Sequence, residues 1–323
     1  MSFQNDVLQI ETMAYAGSSP WGDVGTQVSG DLSPQQMMDK AGLNWSVEKL
    51  PTYAERNGEK IPTGMEALVR SSDNKILTQV GENWNPVQNE QAFEFFNEYC
   101  IEGGMDMHTA GSLKGGKMVW ALAKINESFD VLEGDRVDSY LLFSNPHEYG
   151  KSIDIRFTPI RVTCMNTLAV AMKGRAINGA KVNHRKAFDA NHVKHTLGIA
   201  HEKFEQYKEV AQYLATKRFT AETLIQYYND VFPRTYQGKN PPSVQEYADL
   251  TTNGQKAFDC LDTQPGAKFG EGSWWQALNS VTYLTDHEMG RSADTRMTSA
   301  WFGTNQNRKQ LAVSKAIEYA EAI

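Results

Sequence analysis

The sequence predicts an α+β protein: a strand-rich first half of hairpins and a mixed or antiparallel sheet with a packed helix, followed by a helical second half. Two observations carry this. Before about residue 165, short runs alternate apolar and polar residues and are punctuated by Gly, Asn and Asp turn signals. From residue 187 the period becomes helical, with Val193, Leu197, Ala200, Phe204, Tyr207, Val210 and Leu214 in one stretch and few breakers. The reading divides the chain into a loop-rich N-terminal segment (1–60), an α+β core (61–186) and a helical C-terminal region (187–323). At 323 residues and 40% apolar content there is ample material for a core.

The elements follow in order. "GSSPWGDVGTQVSGDLSP" gathers Gly, Ser, Pro and Asp, as loops do. Ser33 is placed to cap a short helix whose first residue is Pro34. "EALVRSSDNKILTQVGENW" reads as two strands around a turn at Asp73-Asn74-Lys75. Asn89 is expected to cap "EQAFEFFNEYC", in which Ala92, Phe93, Phe96, Tyr99 and Cys100 share one helical face. A second hairpin, "MDMHTAGSLKGGKMVWALAKI", turns at Lys114 to Lys117. A third joins "DSYLLFSNP" to "KSIDIRFTPIRVTC" through His147 to Gly150, and a short helix is expected from about Thr167 to Lys173. Helices are then read at "TAETLIQYYNDVF", "VQEYADLTTNGQKAFDCL", "SWWQALNSVTYLTDHE" and "NRKQLAVSKAIEYAEA". The aromatic-rich "SWWQALNSVTY" is expected to offer exposed packing surface.

Composition sets limits on function. No run of about 18 apolar residues occurs, so no membrane span is expected. The N-terminus lacks the basic and apolar regions of a signal peptide. Three widely spaced cysteines (Cys100, Cys164 and Cys260) suit a reducing compartment. A cytoplasmic location is expected.

"GSLKGGKM" (Gly111 to Met118) has the outline of a phosphate-binding loop. It ends in Met, however, and precedes a strand pattern where such a loop must open a helix, so a hairpin turn is the better reading. His184, His192, His195 and His201 cluster without a third and fourth ligand at zinc spacing. "DHE" (286–288) reads as an ordinary polar helix terminus. No nucleophile elbow or Cys/His signature appears. The chain is therefore read as a non-enzyme, with no catalytic residue, metal or cofactor expected.

Charge supplies the positive signal. The formal net charge is −7, yet residues 151–218 hold 13 Lys/Arg against 5 Asp/Glu, which leaves −15 for the remainder. In "SIDIRFTP" Ile153, Ile155 and Phe157 alternate with polar residues. After Pro159 the apolar phase flips to Ile160, Val162 and Cys164. A bulge at Thr158-Pro159 would absorb the flip and put Arg156, Thr158, Arg161 and Thr163 on one solvent face. "KGRAINGAKVNHRK" then adds Lys173, Arg175, Lys181, Arg185 and Lys186. These seven cations, Arg156 and Arg161 included, are the candidate nucleic-acid contacts, suited to tracking a phosphate backbone without reading bases.

Five motifs carry a resemblance: "PWGDVGTQV", "VGENWNPVQNEQAFEFF", "YLLFSNPHEYGKSIDIRFTPIRVTCMNTLAVA", the basic segment after it, and "SWWQALNSVTYLTDHE". Together they resemble the phage/plasmid-like protein family, YafZ/YfjQ-like, whose domain has no assigned function. The third motif is the most specific. One departure is visible, since Trp21 is followed by Gly22 where the family commonly has histidine. The element order with its basic segment is also similar to single-strand annealing proteins of the Rad, RecT and Redβ type. That similarity implies a phage or plasmid recombination protein that binds single-stranded DNA and anneals strands without ATP. It further implies a homo-oligomer larger than a dimer. The other expectation is an accessory or counter-defence protein of a mobile element that acts through protein contacts.

Overall fold

Strand register decides which side chains are enclosed, and it is set by four long strands. The computed structural model describes residues 12–17, 25–151, 153–163, 166–167, 190–234 and 250–322. Strands β6 (Asp106–Leu113), β7 (Met118–Asp130), β8 (Arg136–Pro146) and β9 (Asp154–Arg161) form an antiparallel meander. β10 (Asn166–Thr167) adds to β9 at one edge. At the other edge β1 (Met13–Ala16) pairs antiparallel with β6 and parallel with β2 (Thr26–Val28). The resulting seven-stranded sheet is mixed. The β6–β7 connection is the expected turn: Lys114, Gly115 and Gly116 take positive φ of 55°, 65° and 89°, a conformation that glycine adopts at little cost.

Alternation along these strands sorts side chains onto two faces. Val119, Ala121, Ala123, Leu141, Phe143 and Ile155 face α2 (Asn89–Gly103), which contributes Ala92, Phe93, Phe96, Tyr99 and Cys100 to the same cluster. The Phe96 and Phe143 rings stack at 4.9 Å. Gln88, and not Asn89, holds the N-cap position of α2. Its amide bridges both backbone groups of Val47, while buried Asn89 donates to the carbonyls of Leu43 and Trp45. On the opposite face Trp120, Leu122, Tyr140, Leu142 and Ile160 meet Met297, Ala300 and Trp301 of α7 (Ala293–Phe302).

A second sheet contains β3 (Val47–Arg56), β4 (Glu59–Arg70) and β5 (Ile76–Gly81), in that order. The expected turn between β4 and β5 holds Asn74 at φ 59°. Helix α1 (Pro34–Lys40) starts as its sequence suggests, with the Ser33 side chain accepting from the Gln36 amide and Gln36 returning the bond. Two strands, this helix and the whole of β3 lie within residues 1–60.

The helical half comprises α3 (Ala190–Thr216), α4 (Ala221–Val231), α5 (Thr252–Thr263), α6 (Trp274–Tyr283), α7 and α8 (Thr304–Glu321). The architecture is α+β, a strand-rich first half followed by helices. Helix α6 is central: it touches α3, α5 and α8, so Trp274 and Trp275 are fully buried. The expectation of an exposed "SWWQALNSVTY" is therefore corrected. Its aromatics fill a core shared with Phe204, Tyr207, Tyr227 and Tyr228, and with Phe129 and Val137 of the sheet. Among the described residues, no helix is long and apolar enough to cross a membrane.

Candidate nucleic-acid interface

The candidate arginines lie on β9, and the register of β9 determines their surroundings. Pairing with β8 runs without a shift from Val137–Arg161 to Ser144–Asp154. No bulge forms at Thr158-Pro159, so the phase flip seen in the sequence is not absorbed. Arg161 falls on the face of Ile155 and Phe157, and Arg156 on the opposite face with Ile160. Thr158 is buried and Val162 is 41% exposed, so the expected common solvent face does not exist.

Arg161 is 1% exposed. Its guanidinium grips Asp135 in a two-point ion pair, with Nε to Oδ1 at 2.6 Å and Nη2 to Oδ2 at 2.9 Å. The Trp275 indole donates to the same carboxylate at 2.7 Å, and the guanidinium lies 5.6 Å from the Trp275 ring centre. Nη2 also donates to the Gly266 carbonyl at 2.9 Å. Gly266 has φ +77°, and a Cβ there would stand 2.9 Å from Nη2. A planar, permanently charged donor fork is the side chain that can fill such a site. Arg161 thus ties the sheet to α6 and presents no surface to a phosphate.

Arg156 is held less tightly. It pairs with Asp154, donates from Nη1 to the Trp301 carbonyl at 3.0 Å, and lies over the Phe302 ring at 5.3 Å. Its side chain keeps 26% of its exposure. Lys173, Arg175, Lys181, Arg185 and Lys186 lie outside the described residues, as does most of the helix expected over 167–173. Thr167 itself is in a strand.

Immediately before the basic segment, β10 is fastened by a second buried network. The Asn166 amide donates to Thr282 Oγ1 at 2.9 Å and to the Asn279 carbonyl at 3.3 Å. Asp286 Oδ2 accepts from both the amide and the hydroxyl of Thr167, each at 2.7 Å. Buried Lys309 donates to Asp286 Oδ1 at 2.7 Å, and to the carbonyl and hydroxyl of Thr167 at 2.9 and 2.6 Å. Burial pulls the Lys309 ammonium below its usual range, and Asp286 opposes that shift. Asp286 reaches this position because α6 runs into a π-helical turn, Leu284–Glu288, closed by a bond from the Met289 amide to the Leu284 carbonyl at 2.8 Å. "DHE" is thus not an ordinary polar terminus, since its aspartate is 2% exposed and ion-paired.

Sequence reasoning missed Asp135, Trp275, Asn166, Thr167, Asp286 and Lys309. One signal was available: "RVTCMNTL" and "WWQALNSVTYLTDHE", quoted as separate motifs, dock on each other through Asn166, Thr167, Asn279 and Asp286. His201 sits near the surface with Nδ1 2.7 Å from Glu127. Among the described residues, no group of three or more His, Cys, Asp or Glu is placed to hold a metal ion.

Residues 76–309 match the family described as Domain of unknown function (DUF932). The chain belongs to this family. The matched DUF932 span contains every member of both buried networks, from Asp135 to Lys309. No curated protein and no solved structure matches the chain.

Proposed function

We propose that this DUF932 protein is a phage or plasmid recombination protein that binds single-stranded DNA and promotes annealing without ATP, as a homo-oligomer larger than a dimer. The observation that carries the reading is the placing of charge. In an acidic chain, residues 168–189 contain five Lys/Arg and one Asp. Lys173, Arg175, Lys181, Arg185 and Lys186 are the proposed phosphate contacts. The buried cations Arg161 and Lys309 have their carboxylates supplied from within the protein, so they neither add to nor compete for that role.

The flanks of this segment support the reading. Thr167 is bound at its amide, carbonyl and hydroxyl, and on the far side Ala190 begins a 27-residue helix. A segment tethered at both ends loses less entropy on engaging a polymer than a free tail does. Backbone contacts from lysine and arginine alone give binding that is indifferent to sequence and sensitive to salt. The resemblance to phage/plasmid-like proteins and to Rad, RecT and Redβ annealing proteins, and a cytoplasmic place of action, belong to this same proposal.

The test is direct. Labelled oligonucleotides of unrelated sequence bind equally, binding weakens steeply as salt rises, and complementary strands anneal in buffer free of nucleotide. Absence of binding at low salt, or annealing that requires ATP, contradicts the proposal and favours action through protein contacts.

A further inference from the structure

The turn from Lys114 to Lys117, which has the outline of a phosphate-binding loop, meets two other turns at one end of the structure. Met118 pairs with Pro146, so the β6–β7 turn and the β8–β9 connection leave the large sheet side by side. The His147 amide donates to the Lys117 carbonyl at 2.8 Å, and Lys114 Nζ reaches Glu148 at 3.1 Å. From the second sheet the β4–β5 turn brings Lys75, whose Nζ would stand 2.6 Å from a Cβ on Gly115. Lys75, Lys114, Lys117 and Lys151 thus come together from three turns.

Two residues here depart from the chemistry of turns. Lys114 holds φ 55°, a left-handed backbone that glycine or asparagine adopts at less cost. Tyr149 stands in the β8–β9 connection, where small or polar residues are the usual choice. It is 67% exposed, the most exposed aromatic side chain among the described residues. Departures from local preference gather where a protein is used, and these two supply an amine and a bare aromatic face.

The carboxylates nearby are largely engaged. Asp73 closes on Arg70 at 2.6 Å, Glu148 on Lys114, and Asp294 accepts from the Lys114 amide at 2.7 Å. Two more stand on adjoining elements. Glu48 lies opposite Val69, and Glu90 follows Asn89, whose side chain is 2.9 Å from His147. The patch is therefore only moderately positive, and charge alone would hold a polyanion weakly. A ligand suited to it brings a flat ring as well as phosphate. Single-stranded nucleic acid does so, because its unstacked bases can lie on an aromatic face while amines meet the backbone to either side. A duplex keeps its bases inside, and free phosphate has no ring.

We propose that Tyr149, with Lys75, Lys117 and Lys151 beside it in the joined turns, is a second contact for the bound single strand. The tyrosine stacks on one base and the lysines meet the flanking phosphates. This contact rests on the single-strand-binding reading above, whose principal phosphate contacts stay within residues 168–189.

The experiment titrates the full chain with a labelled oligothymidine strand, and with a duplex, at several salt concentrations. Tyr149→Ala should weaken single-strand binding about tenfold, with the salt slope and duplex binding left as in the wild type. Tyr149→Phe keeps the aromatic face and should match the wild type. Lys117→Gln/Lys151→Gln should flatten the slope by about 1.4. None of these three side chains is buried, so circular dichroism should not change. Should Tyr149→Ala disturb the turn, Tyr149→Asn, which turns accept, serves in its place with the same expected loss. A folded Tyr149 variant of wild-type affinity overturns the inference. So does an equal loss on single strand and duplex, or an unchanged slope in the lysine variant. A wild-type protein that binds no oligonucleotide removes this contact together with the single-strand reading. If replacing the five cations of 168–189 weakens binding and Tyr149→Ala does not, this inference alone falls. The reverse result leaves the Tyr149 contact standing and removes the role given to those five.

Discussion

In the seven-stranded sheet both faces are packed against helices, and two cations there are enclosed with partners: Arg161 with Asp135, and, beside β10, Lys309 with Asp286. In the three-stranded sheet Leu50, Met65 and Ile76 stand exposed on the outer face, around buried Ala67 and Val69. The contrast teaches that neither charge nor hydrophobicity alone locates function in this chain. The arginines of β9 that look like a phosphate-binding surface work largely as internal clamps, and the apolar residues of β3–β5 that look like core lie outside it. What separates the two cases is cover, which only tertiary structure reveals.

The largest effect that could break this comparison is at Arg161. Arg161→Ala leaves Asp135 buried with only the Trp275 bond, and should cost about 3–5 kcal/mol in urea unfolding. A double change, Arg161→Met with Asp135→Leu, should recover part of that loss, because an apolar pair replaces a desolvated ionic one at little net cost while the Trp275 indole N–H and the Gly266 carbonyl lose their partners. A single variant of wild-type stability would show that the guanidinium is not enclosed as described. Lys309→Met should cost less, about 3 kcal/mol, since Thr167 still gives Asp286 two hydrogen bonds.

A pH effect comes next. His108, on the strand β6 beside Tyr140, has its pKa lowered to about 4, first by burial and then by Lys124. The unfolded chain takes up this proton at a higher pH than the folded one does. His108 therefore contributes stability that is complete above its unfolded value near 6.5 and is lost as pH falls toward 4. The loss should reach about 2 kcal/mol between neutral pH and pH 5, and His108→Gln should flatten that part of the profile. Smaller again, Gly266→Ala should cost about 1–2 kcal/mol, through its left-handed backbone and its approach to Arg161. A neutral result there would mean that the loop moves away from Arg161 readily.

Much of the fold was legible because local pattern and tertiary environment agree. Ser33-Pro34 opens a helix, Lys114-Gly115-Gly116 turns a hairpin, and the apolar face of α2 is the one buried. The site was less legible. The phase flip at Pro159 has two solutions, a bulge or a buried polar residue, and local sequence favours the first. The second holds because Asp135 and Trp275 wait on the inner face, 26 and 114 positions away in the chain. Buried ion pairs between distant residues leave no periodic trace. Burial of Trp274 and Trp275 was equally hidden, since a helix that is apolar on several faces reads alike whether it fills a core or awaits a partner.

The central claim is that the cations of β9 serve mainly to hold the protein together and that phosphate contact belongs to residues 168–189. Its most direct test is the salt dependence of single-stranded DNA binding by a variant with Lys173, Arg175, Lys181, Arg185 and Lys186 all changed to Ala. Each lost contact should reduce the log–log slope by about 0.7, so the slope should flatten by roughly 3.5 if all five contacts are made. The unfolding midpoint should stay that of the wild type, because both buried networks remain intact. Unchanged affinity and slope in that folded variant would contradict the claim.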